Sequence, residues 1–112
     1  MTSKIPFSDW QKLDIRVGKI LKVEDHPKAD KLYVLTVDIG ESSPRTIVAG
    51  LKPHYKKDEL QGKLGIFIAN LEPVVLRGVK SDGMTLAAIN QDEDKVIILT
   101  PGSEIEPGSK VR

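Results

Sequence analysis

The chain contains no cysteine, which excludes disulfide bonds and metal sites built on thiolates. Its two histidines are too few to make a zinc site expected. No apolar run approaches the roughly 20 residues that a membrane-spanning helix needs, and residues 1–10 lack the apolar segment of a secretory signal peptide. We therefore expect a cytoplasmic protein with no metal or other cofactor and no membrane partner.

Aromatic side chains are also scarce, at 4% of the chain. General binders of single strands stack successive bases on exposed aromatic rings, and this chain can offer one or two at most. Phe67 is expected to be buried, because it lies in the most continuously apolar segment, residues 63–69. Recognition of the backbone and shape of a folded RNA suits this composition better than base stacking.

Charge is unevenly distributed, although the formal net charge is only +1. Residues 1–80 carry 14 Lys or Arg and 10 Asp or Glu, whereas residues 81–112 carry 3 and 6. A basic face can therefore coexist with an acidic one, and a local patch attracts polyanions more than the total charge does. The alternative interpretation is that this uneven distribution is ordinary variation in surface charge.

Alternation of apolar and polar residues predicts a long strand over residues 13–24, with a bulge at Lys19 and Ile20 just after Gly18. Further strands are predicted over residues 33–39, 46–49, 63–69, 74–76, 84–89 and 95–99, with a helical turn over 56–60 and a hairpin tip at 92–94. This order predicts an all-β, five-stranded Greek-key OB-fold barrel with a short helix between strands 3 and 4. Periodicity alone does not exclude a small β-sandwich. We expect one domain over residues 1–112, with an N-terminal arm (1–12) and a C-terminal extension (100–112).

The segment 77–84, RGVKSDGM, is predicted to be a turn that enters the strand over residues 84–89. It offers backbone N–H groups, a hydroxyl and two cations, which are donors suited to phosphate and ribose. Gly78 to Thr85 resembles a phosphate-binding loop, but Met84 stands where that loop needs lysine, which excludes a nucleotide-hydrolysing site. Ser81 is out of register with a nucleophile elbow, so no catalytic residue is predicted. A tight turn with solvated charges is the alternative.

Five segments together resemble the tRNA-binding domain family. They are DIRVGKI (14–20), HPKADKL (26–32), VAGL (48–51), NL (70–71) and the segment 77–84. This family is appended to the C-terminus of methionyl-tRNA synthetases, and it also occurs in free-standing tRNA-binding proteins and in the endothelial-monocyte-activating cytokine precursor. The resemblance implies an accessory module without catalytic activity that binds tRNA and assists aminoacylation. It would be the C-terminal domain or separate β-subunit of a methionyl-tRNA synthetase, or a free-standing domain.

Candidate RNA contacts lie at predicted strand ends or in connections, so several can share one face and follow a phosphate backbone. They are Lys19, Lys28, Lys31, Arg45, Lys52, Lys63, Asn70, Arg77, Lys80 and Ser81. Asn70 and Ser81 can instead cap turns, and His26, before Pro27, is predicted to hydrogen-bond within its own turn.

The family resemblance further implies a homodimer. The predicted contact surface is Leu71, Val74, Val75 and Leu76, with parts of the arm or the tail. Val74 and Val75 stand where similar proteins often carry basic residues. Two other functions stay open at this point: an assembly module of a synthetase complex with incidental RNA affinity, and a general single-strand nucleic-acid binder.

Overall fold

The computed structural model describes residues 2–112, so Met1, the first residue of the predicted arm, lies outside the described residues. Nine strands and two four-residue helices follow one another along the chain. They are α1 (Phe7–Trp10), β1 (Ile15–Asp25), β2 (Tyr33–Asp38), β3 (Arg45–Ala49), α2 (Lys57–Leu60), β4 (Leu64–Ile68), β5 (Val74–Leu76), β6 (Val79–Ser81), β7 (Met84–Thr85), β8 (Ala87–Ile89) and β9 (Val96–Ile98). Over residues 2–112, no helix is long and apolar enough to cross a membrane.

The main sheet has the antiparallel strand order β3-β2-β1-β4-β7. Its two edges come together, since β7 lies beside β3 and the Asp82 N–H donates to the Thr46 carbonyl at 2.8 Å. The sheet is thus a nearly closed five-stranded barrel with the short helix α2 between β3 and β4. This confirms the predicted OB-like barrel over the sandwich.

Strand β1 is shared between two partners, which bends it around the barrel. Residues 15–19 pair with β4 and residues 19–25 pair with β2. The register shifts between Ile20 and Lys22, slightly later than the predicted bulge. Gly18 serves a different purpose, because a Cβ there would come within 2.7 Å of the Phe67 ring, which is fully buried. Gly18 therefore leaves space for the largest of the fully buried side chains.

Inward-facing residues of the barrel strands form one core with the end of α2. Its fully buried members are Ile20, Leu35, Val37, Ile39, Ile47, Leu60 and Phe67. Each large apolar side chain that is removed from water in this way contributes on the order of 1.5–3 kcal/mol. The core therefore makes the barrel a rigid support for the loops and hairpins at its ends.

Two hairpins lie outside the main sheet: β5–β6 and β8–β9. The predicted turn over residues 77–84 is wrong in its extent, because residues 79–81 form β6 and fold back on β5. The predicted single strand over 84–89 is also wrong, since the chain changes partners at Leu86, from β4 to β9. The hairpin tip predicted at residues 92–94 is confirmed between β8 and β9.

The C-terminal tail runs beside the first half of β1. Val17 exchanges backbone hydrogen bonds with Gly108 and Ser109, and the Val111 N–H donates to the Ile15 carbonyl at 2.8 Å. Residues of α1 and of the tail line one shallow depression, which includes Trp10 and Val111. Arm and tail therefore meet at the start of β1.

Candidate nucleic-acid interface

The tip of the β5–β6 hairpin is a two-residue turn made by Arg77 and Gly78. Both have left-handed backbone conformations, with φ values of 50° and 88°, which is the geometry of a type I′ turn. Glycine adopts it freely, whereas a residue with a Cβ is strained there by roughly 1 kcal/mol or more. The hairpin thus places an exposed arginine side chain where asparagine or glycine would fold more easily.

This tip lies against the loop that connects β1 and β2, and together they form a depression of about 470 Å³. We call it the basic groove. It is lined by Lys28, Ala29, Asp30, Lys31, Leu32 and Arg77. Within residues 2–112, none of its three cations forms an ion pair. They can therefore bind an anion without breaking an existing ion pair.

Lys80 lies on the same hairpin, opposite Val75, and its side chain is exposed. It lines a second depression of about 410 Å³, which also contains Arg45, Glu41 and Asp82. The hairpin therefore has a cation on each side, Arg77 toward the basic groove and Lys80 toward this second depression.

Arg45 is paired and mostly shielded from solvent. Two of its nitrogens hydrogen-bond the Glu41 carboxylate at 2.9 Å, and a third atom, Nη1, donates to the Ala69 carbonyl. Nη1 also lies 3.8 Å from the Asp82 carboxylate. The hydrogen bond from Arg45 lowers the pKa of Glu41, and the same contact raises the pKa of Arg45. This arginine is held in the fold and contributes little free charge.

Lys52 is likewise paired. Its ammonium group lies 3.2 Å from the carboxylate of Asp25, which also binds Lys57 at 3.1 Å. Hydrogen bonds from Lys57 and Lys52 lower the pKa of Asp25. Because Asp25 is the last residue of β1, Lys52 lies at the same end of that strand as the basic groove, but with its charge compensated.

Lys19 and Lys63 are exposed but lie elsewhere. Lys19 is opposite Leu64 on β4, so it is close to the start of that strand and to Lys63. Asp25 lies six positions after Lys19 on β1, a distance of roughly 20 Å along a strand. The structure does not bring these two lysines into the basic groove.

Asn70 and Ser81 are engaged within the fold. The Asn70 side-chain oxygen accepts from the Asp14 N–H at 2.8 Å, and its amide donates to the Lys12 carbonyl at 2.6 Å. Ser81 is buried, and its hydroxyl accepts from the Val48 N–H at 2.9 Å. We therefore leave both residues out of the proposed contact surface.

His26 makes the predicted hydrogen bond within its turn, because its Nδ1 accepts from the Lys28 N–H at 3.0 Å. Its Nε2 also lies 2.8 Å from the Leu76 carbonyl oxygen on β5. The sequence does not predict this second contact, which joins residues 50 positions apart. The local His-Pro pattern carries information only about the turn.

The chain matches known proteins over nearly its whole length. Residues 15–110 match the family model described as "Putative tRNA binding domain". A methionine–tRNA ligase of Pyrococcus horikoshii is 55% identical over 108 residues, which are 96% of this chain and 14% of that protein. The chain thus spans only a small part of the length of the curated relatives it matches.

Solved structures show the same fold over whole chains. One is a MetRS related protein from Pyrococcus horikoshii, with 33% identity and a TM-score of 0.91, which covers 99% of this chain and 100% of that one. Another is a CsaA chaperone protein from Picrophilus torridus, with 36% identity and a TM-score of 0.87, covering 97% and 100%. The family match includes β1, the loop between β1 and β2 (the groove loop) and both hairpins. The chain therefore belongs to the tRNA-binding domain family, as its motifs predict.

Proposed function

We propose that this domain binds the sugar-phosphate backbone of a folded tRNA at the basic groove and acts without catalysing a reaction. The observation that carries the proposal is the meeting of three unpaired cations, Lys28, Lys31 and Arg77, at a strained hairpin tip. Each phosphate that they neutralise releases condensed counterions, which drives association. Backbone contacts carry no sequence information, so unrelated tRNAs should bind with similar affinity.

The role of such a module is to hold tRNA near a separate active site, which raises its effective concentration there. Relatives named as methionine–tRNA ligases support a methionyl-tRNA synthetase catalytic domain or subunit as the partner. In this proposal, residues 1–112 are one domain with an N-terminal arm and a C-terminal extension. It is the C-terminal domain or separate β-subunit of the synthetase, and it acts in the cytoplasm with the synthetase.

We also propose that the domain is a homodimer. Of the four residues predicted at the contact surface, Val74 and Val75 are 51% and 65% exposed and Leu71 is 40% exposed, whereas Leu76 is half-buried. The β8–β9 hairpin exposes a second apolar surface, with Ile89 at 58% and Ile97 at 55%. A two-fold dimer through either surface would double the number of basic grooves.

Titration of the domain with two unrelated tRNAs tests RNA binding, with oligo-dT as competitor. We expect similar Kd values for both tRNAs and an affinity that falls about tenfold or more between roughly 50 and 200 mM salt. Displacement by oligo-dT at the same concentration as unlabelled tRNA would instead indicate a general single-strand binder. Dimerisation without measurable tRNA binding would indicate an assembly module.

The substitution Arg77→Asn tests the groove itself. Asparagine tolerates the left-handed conformation and forms the Asn-Gly pair that type I′ turns favour, so the hairpin is retained while its cation is lost. We expect Kd for both tRNAs to rise by about five- to tenfold and the salt dependence to fall by about one counterion. A loss confined to one tRNA would contradict a backbone contact, and unchanged affinity would exclude this groove as the binding site.

A further inference from the structure

The interior of the molecule is almost entirely apolar, and its polar exceptions are informative. Besides Tyr33, whose hydroxyl donates to the Tyr55 carbonyl, the buried polar side chains over residues 2–112 are His26 and Ser81, at 6% and 3% exposure. Burying a polar group costs free energy unless it is hydrogen-bonded, and here both groups are. His26 hydrogen-bonds to the β5–β6 hairpin and Ser81 lies within it. This indicates that the fold holds the hairpin in a defined position.

The hairpin needs such attachments because it forms a separate two-stranded sheet. An isolated two-stranded hairpin is marginally stable in water. Its base is fixed to β3, where Ser81 accepts from Val48 and the Asp82 N–H donates to Thr46. Nearer the tip, the hydrogen bond between His26 and the Leu76 carbonyl oxygen attaches the residue next to Arg77.

The geometry defines the donor and acceptor roles of the His26 ring. A backbone N–H can only donate, so Nδ1 carries the lone pair that accepts from Lys28. Nε2 therefore bears the proton and donates to Leu76. One ring thus hydrogen-bonds the backbone of the groove loop on one side and the hairpin on the other.

We propose that His26 is a positioning residue for RNA binding: it fixes Arg77 opposite Lys28 and Lys31, so that the three cations contact one stretch of phosphate backbone. Like charges repel, and without this attachment the hairpin tip would move away from the two lysines. Holding the three cations together before binding lowers the free-energy cost of ordering the hairpin tip when RNA binds. This inference rests on the proposed function of the basic groove.

Two amide substitutions separate the two hydrogen bonds. In His26→Gln, the longer side chain places an amide N–H near the position of Nε2, which retains the contact with Leu76. In His26→Asn, the shorter side chain reaches the Lys28 N–H and leaves Leu76 without its donor. We expect Kd for tRNA to rise roughly three- to tenfold in His26→Asn, and to stay within about twofold of the parent in His26→Gln.

Comparing the two variants also tests whether weaker RNA binding results from a general loss of folding. Urea denaturation curves should show that both variants are folded under the binding conditions. His26→Gln serves as the conservative substitution that retains the contact with Leu76. Equal losses of affinity for tRNA in the two variants would show that RNA binding does not depend on the contact with Leu76, and would overturn the proposal.

A double-mutant cycle with Arg77→Asn gives the decisive readout. If His26 acts through Arg77, His26→Asn should weaken tRNA binding in the parent and change Kd by less than about 1.5-fold in the Arg77→Asn background. A merely structural role would weaken binding by the same factor in both backgrounds, which would overturn this inference alone. If Arg77→Asn itself leaves Kd unchanged, the proposed function of the groove fails and the role of His26 fails with it.

Discussion

The two hairpins outside the barrel sheet each pair two three-residue strands, but they have opposite character. The β5–β6 hairpin has a basic tip at Arg77 and is attached through the buried side chains of His26 and Ser81. The β8–β9 hairpin has an acidic tip over residues 92–94, and its attachment includes the Ile98 N–H, which donates to the Tyr55 hydroxyl at 3.1 Å. The two side chains that attach the basic hairpin are themselves buried, whereas Tyr55 is half-buried. Because burying a polar side chain is costly, this difference indicates that the basic hairpin is the one held in a defined orientation.

The largest expected effect concerns which hairpin forms the dimer contact. Val75→Glu on β5 and Ile97→Glu on β9 each place a charge on an exposed apolar surface. If the Leu71 to Leu76 segment forms the interface, Val75→Glu should raise the dimer dissociation constant by roughly 100-fold or more, because a charge would be buried there unpaired. Ile97→Glu should then leave it unchanged, as measured by analytical ultracentrifugation.

The reverse result would move the proposed interface to the β8–β9 hairpin. A monomer for the parent protein at tens of micromolar would contradict a dimer through either surface. Circular dichroism of both variants provides the control, since each substitution lies at an exposed position and should leave the barrel folded.

The attachment of each hairpin can be weakened by removing one hydroxyl. Ser81→Ala leaves the Val48 N–H unpaired in a buried position, which should lower the free energy of unfolding by about 2 kcal/mol. Tyr55→Phe removes the acceptor for Ile98 at a partly exposed position, where water can replace it, so we expect about 1 kcal/mol or less. Urea denaturation measures both, and a smaller loss for Ser81→Ala would contradict a special attachment of the basic hairpin.

A smaller effect should distinguish the charges beside each hairpin. Lys31→Ala removes a cation of the basic groove, and we expect Kd for unrelated tRNAs to rise about threefold with a reduced salt dependence. Lys95→Ala removes an exposed lysine next to the acidic tip and is the matched control, with little expected change. Equal effects in fluorescence anisotropy titrations would show that RNA does not distinguish the two ends of the molecule.

The smallest predicted effect is a difference in acid sensitivity. Arg45 joins Glu41 to Asp82, the residue after β6, and its hydrogen bond lowers the pKa of Glu41. A lowered pKa in the folded state stabilises the fold above the ordinary glutamate pKa, and this contribution is lost as the pH falls through the lowered value. Between pH 7 and pH 3, hydrogen-exchange protection of the Asp82 amide should therefore decrease more than that of Ile98.

Glu41→Gln provides the control for this measurement, because it removes the titrating group. In that variant, protection of the Asp82 amide relative to Ile98 should be the same at both pH values. A pH difference that persists in Glu41→Gln would assign the effect to another carboxylate.

Much of the barrel is predictable because β2 and β4 alternate between buried and half-buried positions along their whole length. Tyr33, Leu35 and Val37 all face the core as the period of two requires. The short strands after residue 70 are harder to predict, since each is two or three residues long and no period can be read from so few positions. The partner change at Leu86 depends on the neighbouring strands rather than on the local sequence.

The candidate site is only partly predictable for a similar reason. The sequence identifies which residues are cations but not which of them are already paired. Arg45 and Lys52 have acidic partners that only the fold brings close, whereas Lys31 and Arg77 have none within the described chain. The bond from His26 to Leu76 also crosses the fold, so composition and spacing carry no signal for it.

The pairing of the C-terminal tail with β1 has a consequence for how this domain can be joined to other polypeptides. The Val111 N–H donates to the Ile15 carbonyl oxygen, so the chain enters and leaves the barrel side by side. Since α1 and the tail line the same depression, polypeptides joined before the arm and after the tail would both approach the barrel at the start of β1. Gene fusion on either side should therefore leave the barrel and the basic groove folded.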